Sequence, residues 1–199
     1  MPVPTIYYIR HGETSWNAEG RLQGVQDIAL NERGRAQAAH AGRILADLLA
    51  RDGRDKTTVP FVASPLIRAR ATMELVRAEL GLAPGDYTLD ARLREIGYGT
   101  WEGSTLAQAQ AADPALYARR LAEKWTVSPA GGESYVDVQV RMTDWYCSVT
   151  EDTVAVAHGG TARALMVALG FETPASAAEL YIEQGAVYVF GEQGLRQYS

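Results

Sequence analysis

The sequence predicts an α/β fold. The expected form is a three-layer α/β/α arrangement with a mostly parallel central sheet, helices on both faces and a small helical cap. Three observations lead there. Short runs of β-branched, aromatic and small apolar residues recur at Thr5–Ile9, Val59–Ala63 and Thr153–Ala157, a composition that reads as buried strand. Each run stops at polar punctuation: Arg10-His11-Gly12, Ser64-Pro65 and His158-Gly159-Gly160. Each is then followed by a loop or helix start, and strands alternating with helices build parallel sheets. At 199 residues, 47% hydrophobic and 22% charged, residues 1–199 are expected to form one domain with a core large enough to fold alone.

After the first strand, Gly20-Arg21-Leu22-Gln23-Gly24 is a glycine-bounded loop without the spacing of a dinucleotide or P-loop fingerprint. Asn31 suits the N-cap of a helix running to about Asp52, with Ile44, Leu45, Leu48 and Leu49 on its apolar face. His40 in that helix has no chemical partner nearby in sequence and reads as structural or exposed. Ser64 is expected to cap the next helix, with Pro65 at its first position. Leu66, Ala69, Met73, Val76 and Leu80 then form one buried stripe. Arg68 near this helix start suits an anion, whereas Arg70 and Arg77 suit the solvated face.

Tyr87–Asp90 reads as a short strand, and Leu93–Gly103 as a tight ordered loop rich in glycine and aromatics. Residues 104–125 are predicted as two short helices broken around Asp113-Pro114, and Glu133–Thr150 as a helix with Val138, Met142, Trp145 and Val149 on one face. The helix after His158 is expected to run through Leu169 and end at Gly170. Glu179–Phe190 is predicted as a β-hairpin turning at Gln184-Gly185.

A net charge of −5 argues against a general nucleic-acid binder, so any anion site is local. Cys147 is the only cysteine, which excludes an intrachain disulfide and fits a reducing, cytoplasmic setting. Within its helical pattern it is expected as a small core residue. The N-terminus lacks a basic region followed by an apolar stretch, and no apolar run approaches the ~20 residues that span a bilayer. Neither a signal peptide nor a membrane partner is expected.

Two of the three histidines, His11 and His158, stand at expected carboxyl ends of strands, where open α/β sheets bind ligands. The small residues after both admit close approach. A metal site fits poorly: the histidines are far apart in sequence, no His-x-His or His-Glu-x-x-His occurs, and adjacent arginines repel a cation. A serine nucleophile is equally weak without a Gly-x-Ser-x-Gly elbow. Phosphoryl transfer to histidine fits better. Arginine forks match phosphate oxygens, and neighbouring cations keep an imidazole neutral and nucleophilic.

Arg10-His11-Gly12-Glu13-Thr14, with Trp16-Asn17 and Gly20–Gly24, resembles the signature of the histidine phosphatase superfamily, the phosphoglycerate mutase-like fold. Ser64–Thr72, Leu93-Arg94-Glu95 with Gly99–Gly103, Gly131–Ser134 and Val156–Arg163 resemble its further blocks, in the family's order. The resemblance implies His11 as the nucleophile that becomes phosphohistidine. It implies Arg10, Arg68 and His158 as phosphoryl ligands, and Glu95 as the acid and then the base. Asn17, Gln23, Gly24 and Gly159 are implied phosphate or substrate contacts. Glu13 and Glu102 compete for the acid's role, but Glu13 suits an orienting partner of the histidine or an arginine, and Glu102 suits a loop brace.

Ile96 directly after Glu95, where the resembling mutases carry a basic residue, and the short Gly103–Gly132 segment resemble the phosphatase branch. The expected function is therefore metal- and cofactor-independent hydrolysis of a small phosphorylated metabolite. A bisphosphoglycerate-dependent mutase is the alternative, and a non-catalytic phospholigand binder is the third reading. Arg119-Arg120 is expected as an exposed helix turn. Tyr98, Trp101, Leu106, Tyr117 and Trp125 form either a specificity wall in the cap, about residues 104–130, or its packing on the body. A monomer or homodimer is consistent with the resemblance.

Overall fold

The computed structural model describes residues 3–199. The chain begins with β1 (Ile6–Arg10), followed by the four-residue α1 (Ser15–Ala18) and the long α2 (Glu32–Arg51). Asn31 caps α2 as expected, its side chain accepting from Gly34 N at 2.8 Å. Next come β2 (Phe61–Ala63), α3 (Ile67–Glu79) and β3 (Thr88–Leu89). Two short 3-10 turns, Ala91–Leu93 and Gly99–Trp101, flank Glu95. The two cap helices are α4 (Leu106–Ala112) and α5 (Pro114–Ala122), broken where Asp113 caps the second with Pro114 at its start. Then follow α6 (Tyr135–Cys147), β4 (Thr153–Ala157), α7 (Gly159–Ala168), α8 (Pro174–Glu179), β5 (Val187–Gly191) and β6 (Gly194–Tyr198).

The six strands form one sheet in the order β3-β2-β4-β1-β5-β6. The first four are mutually parallel, and β5 and β6 add antiparallel at one edge. β1 and β4 are central and buried on both faces, as their apolar runs require. Alternation divides their side chains between two cores. Tyr7, Ile9, Val154 and Val156 pack with Leu45, Leu49, Met73 and Val76 of α2 and α3. Tyr8, Ala155 and Ala157 pack with Val138, Met142 and Leu165 of α6 and α7. The result is the expected three layers, and the carboxyl ends of β1, β2 and β4 share one edge.

Four expectations outside the cap change. First, α3 begins at Ile67, with Leu66 rather than Ser64 at its cap, because the Ser64 hydroxyl is committed to His158. Second, the hairpin lies later than expected, joining β5 to β6 through Glu192-Gln193, and Glu179 ends α8 instead. Gln184-Gly185 is a different turn, whose Gly185 N–H donates to Arg10 O at 2.9 Å and ties it to the end of β1. Third, Cys147 is exposed. It lies two residues beyond buried Trp145, and two helical steps turn a side chain about 200°. Fourth, Arg77 is buried, stacked over the Phe61 ring at 4.5 Å and donating to Ala83 O at 2.8 Å. Arg70 is exposed, as is His40.

In the cap, Trp101 pairs with Tyr117 at 6.1 Å and Trp125 stacks on Tyr135 at 4.8 Å. Trp101 and Trp125 are buried while Leu106 is exposed, so these aromatics seat the cap on the body. Arg120 corrects the expectation of an exposed turn. It is buried, lies over Tyr98 and Trp101 and bonds Val127 O, whereas Arg119 is exposed. No helix is long and apolar enough to cross a membrane among the described residues.

Candidate active site

The strand-end residues converge. His11 is 1% exposed and His158 0%, with ring centroids 5.1 Å apart. His11 follows β1, and its N–H donates to Ala157 O at 3.0 Å, which locks it beside the end of β4. Its ring Nδ1 lies 2.7 Å from Gly12 O. A carbonyl only accepts, so Nδ1 carries the proton and Nε2 keeps its lone pair. Burial first, then the charges of Arg68 and Arg10, hold His11 well below the ordinary histidine pKa of 6.5. The ring is neutral at pH 7.

His158 is held by more partners. Its Nε2 lies 2.7 Å from Ser64 Oγ. Its backbone N–H donates to Tyr8 Oη at 3.1 Å, and Tyr8 Oη–H faces His158 O and Thr161 Oγ1, each at 2.7 Å. Burial and then Arg68 push its pKa well below 6.5 too. A neutral His158 whose Nε2 accepts from Ser64 carries its proton on Nδ1, and that Nδ1 is buried without a partner.

Arg68 is fully buried in the first turn of α3. Its two terminal nitrogens donate to Gln26 O at 2.6 Å and Gly24 O at 2.8 Å, which leaves a buried, unpaired Nε. Arg10 bonds Ile182 O through Nη1, and its Nε is likewise buried and unpaired. Burial lowers the pKa of both guanidiniums. Unpaired buried donors are costly, and Arg10 Nε, Arg68 Nε and His158 Nδ1 are three such donors near His11, an arrangement with the chemistry to receive an anion.

Glu95 belongs to the same cluster, its charge acting on both Arg10 and Arg68. Its Oε1 accepts from Gly160 N at 3.0 Å and Ile96 N at 2.9 Å. A Cβ at Gly160 would overlap that oxygen and stand 2.8 Å from Ile96 Cγ2, so the approach requires glycine. Gly159 packs on Arg10, and a Cβ there would stand 3.4 Å from its Nε. Asn17 and Gln23 meet at Thr14, which donates its backbone N–H to Asn17 Oδ1 and its hydroxyl to Gln23 Oε1. Gly24 takes φ +53°, and its carbonyl is the one Arg68 holds.

The competing carboxylates are occupied elsewhere. Glu13 accepts from Asn31 Nδ2 at 2.8 Å and pairs with Arg33 at 3.4 Å. Glu102 accepts from Val25 N, Tyr98 N and Gln26 Nε2, bracing one loop on another. Sequence marked Ser64 only as a helix cap and gave Tyr8 and Thr161 no role of their own. Tyr8 is an ordinary strand residue there and Thr161 an ordinary helix residue, and the pairing of β4 with both β1 and β2 places the three beside His158.

A groove of about 460 Å3 opens beside Glu95, between Arg94, Gly97, Glu102, Glu133 and Arg141. A larger cavity of about 820 Å3 lies at the opposite end of the sheet. Arg51 and Arg54 there are paired with Asp52 and Asp152, and none of the strand-end residues lines it. No group of three or more His, Cys, Asp or Glu gathers as a metal ligand set among the described residues.

A neutral buried imidazole, buried arginine and histidine donors without protein partners, and a nearby carboxylate on a three-layer α/β fold fit a phosphoryl-transfer enzyme. The chain belongs to the histidine phosphatase superfamily, branch 1, whose family model matches residues 6–196, and it is an enzyme of that family. A glucosyl-3-phosphoglycerate phosphatase of Mycolicibacterium vanbaalenii is 37% identical over 183 residues, covering 85% of this chain and 75% of that protein. A 2,3-bisphosphoglycerate-dependent phosphoglycerate mutase of Methylobacterium radiotolerans is 34% identical over 194 residues, covering 93% and 88%. Among solved structures, a mycobacterial glucosyl-3-phosphoglycerate phosphatase in complex with VO3 superposes with a TM-score of 0.78 at 30% identity, covering 98% of this chain and 96% of that one.

Proposed function

We propose that the protein is a metal- and cofactor-independent phosphomonoester hydrolase that acts through a phosphohistidine at His11 on a small phosphorylated metabolite. The supporting observation is the set of buried donors without partners, Arg10 Nε, Arg68 Nε and His158 Nδ1, beside a neutral His11. They supply what a transferring phosphoryl group needs, charge and hydrogen bonds to its equatorial oxygens. His11 Nε2 attacks phosphorus while Gly12 O keeps the Nδ1 proton. The bond from phosphorus to the leaving oxygen breaks, and Glu95 delivers a proton to that oxygen. Water then enters, Glu95 takes its proton, and the hydroxyl oxygen displaces His11 from phosphorus to release inorganic phosphate. Asn17, Gln23, Gly24 and Gly159 complete the substrate contacts.

The mutase reading draws on the mutases among the similar proteins. It requires extra cations over the pocket and a phosphohistidine shielded from water. Ile96 follows Glu95, Arg120 is turned into Tyr98 and Trp101, and Lys124 bonds Ala178 O and pairs with Glu179. These commitments favour hydrolysis. Residues 1–199 act as one domain with a cap at about 104–130 that sets specificity, in the cytoplasm, as a monomer or homodimer.

The test uses EDTA-treated protein with 3-phosphoglycerate, with and without bisphosphoglycerate. Glucosyl-3-phosphoglycerate, phosphoserine, α-ribazole phosphate and an aryl phosphate run in parallel. Free phosphate is expected without metal and is abolished in His11→Ala. Formation of 2-phosphoglycerate with little free phosphate makes the protein a mutase. Neither product, with vanadate still bound, makes it a phospholigand binder.

A further inference from the structure

Glu95 lies in a segment without strand or helix, between the 3-10 turns at Ala91–Leu93 and Gly99–Trp101. No ladder fixes such a stretch, yet its carboxylate must stand at one place opposite the phosphoryl group. The fixing comes from Glu133, just before α6, and Arg141, midway along it. Arg141 donates to Arg92 O at 2.6 Å and to Glu95 O at 3.3 Å. Its Nε and other terminal nitrogen each reach the Glu133 carboxylate at 3.0 Å. Glu133 in turn accepts from Gly97 N at 2.8 Å, and its own N–H donates to Gly97 O at 2.8 Å. The grip falls on the backbone on both sides of Glu95 and never on its carboxyl group.

We propose that the Glu133–Arg141 pair is a positioning device for the proton-transferring carboxyl group of Glu95, a role that rests on the reading of Glu95 given above. The planar arginine fork suits this, because it holds two carbonyls and a carboxylate in one fixed geometry. Its effect is geometric. Arg141 and Glu133 are 17% and 33% exposed, and solvent screens the attraction between them. The pair is not needed to form α6. That helix already has a capping box of Ser134 with Asp137, and it buries Val138, Met142 and Trp145. The Glu95 segment also has room to move, since the groove of about 460 Å3 borders it between Arg94, Gly97, Glu133 and Arg141.

The experiment compares first-turnover rates of Glu133→Gln, Arg141→Lys and Glu95→Gln on two esters. One is the alkyl phosphate that the protein turns over fastest, whose leaving alkoxide needs a proton. The other is p-nitrophenyl phosphate, whose phenolate leaves without one. For both pair variants the alkyl ester is expected to slow by about 10- to 100-fold, the usual cost of losing a group that orients a reacting one. The first burst of p-nitrophenol is expected to stay within about threefold, because general-acid help scales with leaving-group basicity. Melting temperature checks the fold, and Glu133→Asp gives the same comparison where another variant does not fold. Equal losses on both esters, or none, while Glu95→Gln is selective, overturn the positioning role alone. A Glu95→Gln variant without selectivity overturns the reading of Glu95 itself.

Discussion

At the residue scale, the site is built from close approaches that tolerate one side chain each. Gly160 shows how tightly. Its N–H must reach Glu95 Oε1 at 3.0 Å, and a methyl group there would take that oxygen's place. Gly160→Ala is therefore expected to lower kcat by about 10- to 100-fold through displacement of the carboxylate. Vanadate affinity should hold, since Arg10, Arg68 and His158 are untouched. Gly160 is the second residue of α7, where helix preference counts for little, and the added methyl would stand 2.8 Å from Cγ2 of buried Ile96, so a somewhat lower melting temperature is expected as well. Wild-type kcat in a normally folded variant would show that the Glu95–Gly160 contact is dispensable. Ser64 makes a related point. From sequence its hydroxyl suits a helix cap, a role available to any serine before a proline. A donor beneath His158 is worth more, because it sets which ring nitrogen is left to face the pocket.

At the element scale, strands were legible because burial on both faces leaves only apolar residues to choose from. β4 is found at the expected Thr153–Ala157, and β1 one residue beyond Thr5–Ile9. The polar ends of these strands were legible for the converse reason: Arg and His beside a buried run are costly without a ligand. Less legible were features decided across the fold. The last hairpin slid because its β-branched run continues past Gln184-Gly185, and because Gly185 is needed at Arg10 O. Arg77 and Arg120 looked solvated until aromatic faces 4.5 to 5.9 Å away covered them. Glu133 just before α6 and Arg141 midway along it are eight positions apart and gave no pattern that points at Glu95. Asn31 joins an element to the site legibly. It caps α2 through Gly34 N and holds Glu13, two residues past His11, through Nδ2. Asn31→Ala is expected to cost about 1 kcal/mol in urea unfolding, the usual loss of a cap. The m-value and kcat should be retained, because Asn31 supports the loop from behind. An unchanged urea midpoint would show that solvent caps α2 equally well.

At the scale of the whole molecule, the fold concentrates buried arginines and neutral histidines at one sheet edge, with three of their donors lacking a protein partner. That arrangement makes stability depend on pH in a defined direction. His11 and His158 are both held well below 6.5 in the folded chain, mainly by burial. An unfolded chain regains the ordinary value of about 6.5 and binds protons there that the folded chain refuses. Their contribution is therefore complete above pH 6.5 and is lost progressively as pH falls below it, by up to about 1.4 kcal/mol per pH unit for each histidine. The depressed carboxylates Asp52, Asp90 and Asp137 act in the same direction but only near and below their ordinary value of 3.8, so the window from 6.5 to 5 belongs to the histidines. Urea unfolding at pH 7.5, 6 and 5 should show stability falling with acidity, and His11→Asn should remove about half of the slope. Vanadate at a hundred times its Kd should add about 2.7 kcal/mol at neutral pH, since only the folded chain assembles the pocket. A flat pH profile in that window would mean that the two rings accept protons as readily in the folded state as in the unfolded one, and burial would then not be what keeps His11 neutral.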